Sequence, residues 1–317
     1  MSVSNKSANK QRVALPFTRP LLSVKYWPTW LGLLLAALVG WLPQPARHRL
    51  GQWLGDYLYR KRAKRFHVSR ANLRQVFPEA SDKAIEARVK AHLQWYGKGL
   101  VDYSLFFFGG RERLFSSVSI NGGEHLWQAV KQNQAVILLL THSVMLEFAA
   151  VALASEGIHS FGSYKKSKNA LLDWVIARSR CRFVDFVVSR EEGLRPLIRA
   201  IQSRRVMIFL PDEDLGLDNS VFAPFFNRQK ATLTTPSRLC KLGKATAIAG
   251  FVGFNERESR YELNLSPMPA NYPSGNHEQD AADMNRVFES LIRQSPEQYM
   301  WLMKFYKTTH VDDTPIY

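Results

Sequence analysis

Short, largely apolar runs punctuate the chain from residue 118 onward: the continuous Ala135-Val-Ile-Leu-Leu-Leu140, Phe183 to Val188 with Asp185 inside it, Val206 to Leu210 and Thr246 to Phe254. Runs this short do not make stable helices, and an apolar run without polar alternation marks a strand buried on both faces. Tyr261 to Leu265 predicts a further strand beside the fourth. Helical stretches fall between them, one from the end of the first run to about Ser155 with a stop at Gly157, then Glu191 to Gln202 and Leu233 to Leu242. Strands alternating with helices predict an α/β fold with a mostly parallel or mixed central sheet covered by helices on both faces.

The region before it reads differently. Leu50, Trp53, Leu54, Tyr57 and Leu58 recur at helical spacing and predict a helix from about Arg47 to Phe66. Asn72 to Phe77 and Ser81 to Phe108 read as further helices, the last with Ser81 as N-cap and Gly109-Gly110 as a stop. Tyr26 to Ala46 carries no charge, and its densest part is Trp30 to Leu42. A spanning helix needs about 20 apolar residues. The uncharged window is just long enough, with Pro28, Pro43 and Pro45 at its ends and Trp27, Trp30 and Trp41 where an interfacial aromatic belt would sit. It is therefore expected to be a transmembrane or interfacial helix. A cleaved signal peptide and a buried helix are the competing readings, and no small-x-small cleavage site follows Leu42. The expected organisation is a basic, flexible stretch over 1–25, the membrane helix over 26–46, and one catalytic unit over 47–317. That unit is helical over 47–110 and α/β over 118–317.

Charge sharpens this picture. The net charge is +16, and residues 1–74 hold 14 Lys or Arg against Asp56 alone. The excess surrounds the apolar segment, and Arg60-Lys-Arg-Ala-Lys-Arg65 forms a cluster placed to meet lipid phosphates. An anionic partner is implied. A nucleic acid is disfavoured, because the charge flanks an apolar segment and no nucleic-acid motif is present. Cys181 and Cys240 lie too far apart in sequence for a disulfide framework or a CxxC metal signature. The chain has no GxSxG nucleophile elbow, P-loop or GxGxxG. No bound cofactor and no catalytic metal are expected.

The residues best placed for chemistry are Thr141-His142-Ser-Val-Met-Leu-Glu147, directly after the first strand. The carboxyl ends of strands are where α/β sheets put their sites. Residues five apart do not meet on one ideal helix. His142 and Glu147 can meet only if the histidine lies in the turn and the glutamate in the first helical turns. A carboxylate on one imidazole nitrogen leaves the other as proton acceptor, a general base worth about 10²- to 10⁴-fold. On spacing alone a structural histidine is slightly favoured.

Several blocks occur together in order. His142-x4-Glu147 after an apolar strand is similar to the HX4D/E motif of the glycerophospholipid acyltransferase superfamily. Tyr164-Lys-Lys-Ser-Lys-Asn169 with Asp173 resembles the YRPxxNPxxD-type block of the lipid A late acyltransferases. Val184 to Arg190 resembles a superfamily block with an arginine after a strand. Pro211-Asp-Glu-Asp214, followed by Ser220 to Phe226, resembles their PDHD block and its VFVPFF-like continuation. Ala231 to Pro236 and Gln298-Tyr-Met-Trp301 complete the series. The chain thus resembles the lipid A late (secondary) acyltransferases over most of its length. It departs from them at Lys165 and Lys166, at Glu213 in the histidine position of PDHD, and in the diluted basic run after Trp301.

The resemblance implies transfer of an acyl chain from acyl-acyl carrier protein to a hydroxyl of a lipid A precursor. It assigns catalysis to His142 and Glu147, and substrate contacts to Tyr164, Lys165, Asn169, Arg190, Asp212 and Asp214. It also places the enzyme at the cytoplasmic face of the inner membrane, on an anionic lipid surface. Asp212, Glu213 and Asp214 could instead suggest a metal, but no second ligand set accompanies them. The rival functions are acyl transfer to a mannoside, ornithine lipid or lysophospholipid, and non-catalytic binding of anionic lipid.

Overall fold

The structure, a computed structural model, describes residues 16–164, 166–189 and 194–317, and no side chain of Ser189 or Leu194. Two 3-10 turns, Arg19–Leu22 and Val24–Tyr26, lead into α1 (Trp27–Trp41), α2 (Gln44–Lys61), α3 (Lys64–Val76), the long α4 (Asp82–Phe108) and the short α5 (Arg111–Phe115). Then β1 (Val118–Asn121), α6 (Glu124–Lys131), β2 (Ala135–Leu140), α7 (Phe148–Ser155), β3 (Ser160–Tyr164), α8 (Ala170–Arg180), β4 (Phe186–Ser189), α9 (Leu194–Gln202) and β5 (Val206–Phe209) alternate. A hairpin of β6 (Ser220–Phe225) and β7 (Arg228–Leu233), then α10 (Thr235–Gly243), β8 (Ala245–Asn255), β9 (Arg260–Pro267) and α11 (His277–Ile292), complete the chain.

The main sheet has seven strands in the order β1-β9-β8-β2-β5-β3-β4. Only the β8–β9 pairing is antiparallel. All six residues of β2 are buried, as a strand covered on both faces requires. One apolar cluster on one side of the sheet includes Ile137, Leu139 and Phe251, and a second on the other includes Leu138, Leu140 and Val252. The α/β fold with a mostly parallel, helix-flanked sheet is therefore the one expected.

The N-terminal region corrects one expectation. The helix predicted over 26–46 breaks at Leu42, which precedes Pro43 and is extended (φ −60°, ψ 149°) because a residue before proline avoids the helical region. The remaining 15 residues of α1 rise about 22 Å, short of the ~30 Å hydrocarbon layer. Among the described residues no helix is long and apolar enough to cross a membrane. The helix predicted from Arg47 to Phe66 also divides, at Arg62, whose left-handed φ of 45° separates α2 from α3. The basic stretch expected over 1–25 falls largely outside the description, since residues 1–15 are not described.

α4 holds the helical layer to the sheet. Ser81 caps it, accepting the Ala84 amide at 3.2 Å, and it stops at Gly109. Two glycine contacts allow unusually close approach. A side chain at Gly97 would strike the Gly51 carbonyl of α2, and one at Gly99 would strike the Val144 carbonyl in the turn after β2. A buried polar knot fixes the α1–α2 corner to the same helix. Asp102 of α4 accepts from Arg47 Nε at 2.8 Å and pairs with His48 Nε2 at 2.9 Å, while Arg113 donates to the carbonyls of Gly40 and Leu42. The outer surface of α1 and α2 is apolar and exposed: Leu31, Leu34, Leu35, Leu38 and Trp53 face outward, and Trp41 is 82% exposed.

Candidate active site

β2 and β5 lie side by side in parallel, with Leu139 opposite Phe209. Continuing that register by three residues puts His142 opposite Asp212, so the sheet itself brings the pair together. His142 Nδ1 lies 2.5 Å from Asp212 Oδ1, and the His142 amide donates to Oδ2 of the same carboxylate at 2.7 Å. The Tyr299 hydroxyl also donates to Oδ2, at 2.9 Å. Asp212 is 1% exposed with three donors around it. Burial pushes its carboxyl up, but the His142 ring and amide, with Lys230 nearby, outweigh this and hold it below the usual carboxylate range. Burial and the adjacent carboxylate push the Tyr299 phenol well above its ordinary value, so it stays protonated and donates.

The segment 298–300, which follows a 3-10 turn at Pro296–Gln298, locks this arrangement. Val144 N donates to the Gln298 carbonyl and Met300 N to the His142 carbonyl, both at 2.9 Å, with Ser143 bridging to Tyr299. Gln298 is held in turn by the amide and carbonyl of Phe254. His142 therefore sits in a turn whose backbone and ring are both fixed.

Glu147, at the start of α7, is engaged elsewhere. Its carboxylate receives Arg180 Nε at 3.0 Å and 3.1 Å, and Arg180 Nη2 as well. Burial lowers the Arg180 proton affinity, but Glu147 outweighs this and keeps the guanidinium charged. The carboxylate expected on one imidazole nitrogen is that of Glu147; the one that holds Nδ1 is Asp212. The reason is geometric: Asp212 lies directly across the strand ladder, and the Nδ1 position is filled from that side. His142 and the Glu147–Arg180 pair line separate cavities. A cavity of about 750 Å³ runs from His142 and Val144 along Leu93, Tyr96, Leu100 and Tyr103 of α4 to Leu172 and Ile176 of α8. It is mostly apolar and lies in the usual size range for ligand pockets. A smaller cleft beside it contains Glu147, Arg180 and Gly162.

The other predicted site residues sort as follows. Tyr164 ends β3 at the same edge of the sheet, with its ring buried in the apolar cluster. Asn169 caps α8, accepting from the amides of Leu171 and Leu172, and its Nδ2 donates to Thr29 Oγ1 of α1 at 3.0 Å. Asp214 is pinned by the amide and hydroxyl of Thr308, at 2.6 Å and 2.7 Å, and by the Gly216 amide. Lys165 and Arg190 lie outside the described residues. Glu213 faces the other imidazole nitrogen, with Oε1 3.4 Å from Nε2. Among the described residues no group of three or more His, Cys, Asp or Glu is placed to hold a metal ion.

Sequence reasoning missed Arg180, Tyr299 and Lys230. Lys230 is fully buried in β7, with no hydrogen-bond partner for its amine among the described residues and its Nζ 5.3 Å from the Phe225 ring centre. Burial lowers its proton affinity to about 8, against the pull of Asp212 and Asp214.

A histidine held by a buried aspartate thus stands at the carboxyl edge of a mostly parallel sheet, at the head of a long apolar cavity, an arrangement that places a polar group beside an apolar pocket in an α/β fold. The comparisons narrow the reading. Residues 15–308 match the family described as bacterial lipid A biosynthesis acyltransferase, and the chain belongs to that family. It is similar to the lipid A biosynthesis lauroyltransferase of Escherichia coli K12, with 31% identity covering 92% of this chain and 95% of that protein. The palmitoleoyltransferase of the same organism is 29% identical over 95% of this chain and 98% of its own length. A lipid A biosynthesis acyltransferase of Haemophilus influenzae is 28% identical over 92% and 91%. The protein is an acyltransferase.

Proposed function

We propose that the enzyme transfers a fatty acyl chain from acyl-acyl carrier protein to a hydroxyl of a lipid A precursor, with His142 as general base. The observation that carries the reading is the Asp212–His142 pair at the head of the apolar cavity. Asp212 fixes the imidazole so that Nε2 faces the reacting hydroxyl, and it stabilises the imidazolium once formed. Nε2 takes the hydroxyl proton as the oxygen attacks the thioester carbonyl. A C–O bond forms and the C–S bond breaks. The leaving sulfur recovers a proton from the imidazolium.

The apolar cavity suits an acyl chain, and the Glu147–Arg180 pair fixes a charged group beside the reacting centre. The family membership supports a lipid A acceptor. The basic surface suits both a phosphorylated glycolipid and an acidic carrier protein. The exposed apolar face of α1 and α2 suits attachment in the membrane interface, at the cytoplasmic side of the inner membrane. Tyr164, Asn169 and Asp214 then act as supports of the site, with Lys165 and Arg190 as acceptor contacts.

The test is mass spectrometry of purified lipid A precursors incubated with a panel of acyl-carrier proteins in detergent micelles. Wild type adds the mass of one acyl chain, and His142→Ala reduces the rate by about 10²- to 10⁴-fold. Full-rate transfer by the variant would overturn the base assignment. No transfer to any lipid A precursor would redirect the search to the other lipid acceptors.

A further inference from the structure

The large cavity is nearly without charge. Its lining is aliphatic and aromatic apart from His142 and Arg65, and Arg65 is the only permanently charged side chain there among the described residues. A pocket of this kind orients its ligand through its few polar groups. Arg65 is also held in place. Its Nη1 donates to the Leu302 carbonyl at 2.7 Å, in the segment whose Met300 amide donates to the His142 carbonyl. Asn72 Nδ2 fixes the same segment at the carbonyls of Trp301 and Met303. The guanidinium and the imidazole are thus tied to one piece of backbone. Among the described residues no carboxylate pairs with Arg65, whose fork keeps further N–H groups beyond the one given to Leu302.

The surroundings of Arg65 say from which side its ligand comes. Trp53, Tyr57 and Lys61 recur at i, i+4 spacing and share one face of α2. The two rings are exposed and stacked, with centroids 6.3 Å apart, and the Lys61 Nζ lies 5.5 Å from the Tyr57 ring centre. An exposed aromatic row that ends in cations suits the headgroup level of an anionic bilayer. Arg60, Lys61 and Lys64 are exposed at this end. Arg62 pairs with Glu86 at 3.4 Å, and Arg65 is the cation of the cluster that lines the cavity. A lipid entering from the bilayer therefore brings its headgroup to Arg65 as its chain enters the apolar space.

We propose that Arg65 binds a phosphate of the acceptor lipid and thereby selects which hydroxyl is presented to His142. This rests on the reading of the protein as an acyltransferase acting on a phosphorylated glycolipid. Such an acceptor offers several hydroxyls, and an apolar pocket alone cannot tell them apart. An anion fixed on Arg65 supplies the missing reference point. Arginine suits the task better than lysine, because its planar fork can hold the Leu302 carbonyl and a phosphate oxygen together.

Initial rates are measured on full-length enzyme in micelles, with lipid A precursor as isolated and after enzymatic removal of its phosphates. Arg65→Gln keeps a donor for a backbone carbonyl and removes the charge. It raises KM for the phosphorylated acceptor by about tenfold or more, the loss expected for a charge-assisted contact. Its kcat changes by less than about threefold, because the contact exists before and during transfer alike. With the dephosphorylated acceptor, wild type already shows the raised KM, and the variant adds less than about twofold. Arg65→Lys, which keeps the charge without the fork, falls between wild type and Arg65→Gln. An equal loss on both acceptors would mean that Arg65 merely braces Leu302, and would overturn the proposal. A loss seen with acyl-carrier protein but absent with acyl-pantetheine, a donor without phosphate, would place the contact on the donor and overturn it too. Either result leaves the acyl-transfer reading standing, whereas no transfer by wild type to any lipid A precursor would remove that reading itself.

Discussion

The carboxyl edge of the sheet and the α1–α2 corner treat burial in opposite ways. At the sheet edge, charged groups are inside: Asp212 and Lys230 are almost wholly buried, and Glu147 is buried against Arg180. On the α1–α2 corner, apolar groups are outside, with Leu34, Leu35, Leu38, Trp41 and Trp53 open to the surroundings. Each inversion opposes folding unless something offsets it. At the edge, hydrogen bonds and opposite charges offset the desolvation of Asp212 and Glu147. On the α1–α2 corner nothing within the described chain covers the apolar face, and a contiguous exposed patch of that kind marks an interaction surface. The two inversions thus point to different partners, a reacting polar group at one and an apolar medium at the other.

The largest effects are expected at the edge, where the two carboxylates can be told apart. Asp212→Asn is expected to lower kcat by about 10²-fold or more, because the imidazole loses its orienting anion. Glu147→Gln is expected to cost less, since the Arg180 pair supports the wall of the site without holding Nδ1. Single-turnover rates of the two variants decide this, and a larger loss at Glu147 would reverse the assignment of the orienting carboxylate.

On the α1–α2 corner, replacing Leu34, Leu35 and Leu38 with serine removes apolar groups worth about 1.5 kcal/mol or more each when buried. Binding to anionic phospholipid vesicles is expected to weaken by at least about tenfold. Transfer in detergent micelles is expected to be nearly unchanged. Undiminished sedimentation with vesicles would show that the apolar face serves another contact.

A smaller and purely thermodynamic effect is expected from Lys230. Its folded-state proton affinity is lowered to about 8 from the ordinary 10.5. Below pH 8 the amine is charged in both states, and its burial opposes folding. Between 8 and 10.5 only the unfolded chain keeps the proton, so stability rises with pH across that window. Thermal unfolding of wild type and Lys230→Met in micelles should therefore diverge in favour of wild type as pH increases, by up to roughly 3 kcal/mol. Parallel curves would mean that the amine is better solvated than its burial implies.

The sheet was legible because its central strands are unbroken apolar runs, and Ala135–Leu140 can hardly be anything else. β3 was not, because Ser160-Phe-Gly-Ser-Tyr164 has no such run and is held as a strand by its neighbours β4 and β5. The catalytic histidine candidate stood out at a strand end, but its partner did not. Pairing His142 with Asp212 depends on β5 lying next to β2, a long-range fact that no local spacing carries. Counting from the strand ends would have helped, since Leu140 is two residues before His142 and Leu210 is two before Asp212. Arg180 was hidden for a similar reason, sitting at the far end of a helix from the block that drew notice. The break at Leu42 was readable from Pro43, which divides the segment into α1 and the start of α2.

The contact of Gly97 with Gly51 leaves no room for a lubricating layer of side chains between α4 and α2. One face of α4 is the wall of the apolar cavity, and the other is bolted to the α1–α2 corner that carries the outward apolar surface. On the proposed function, in which the cavity takes the acyl chain and the outward apolar surface meets the membrane, grip and gauge are therefore one mechanical part. A change in how the α1–α2 corner is seated cannot be absorbed by sliding along this joint, and it is passed to Tyr96, Leu100 and Tyr103. Whatever sets the length of chain the enzyme accepts is tied to whatever sets how the enzyme is held.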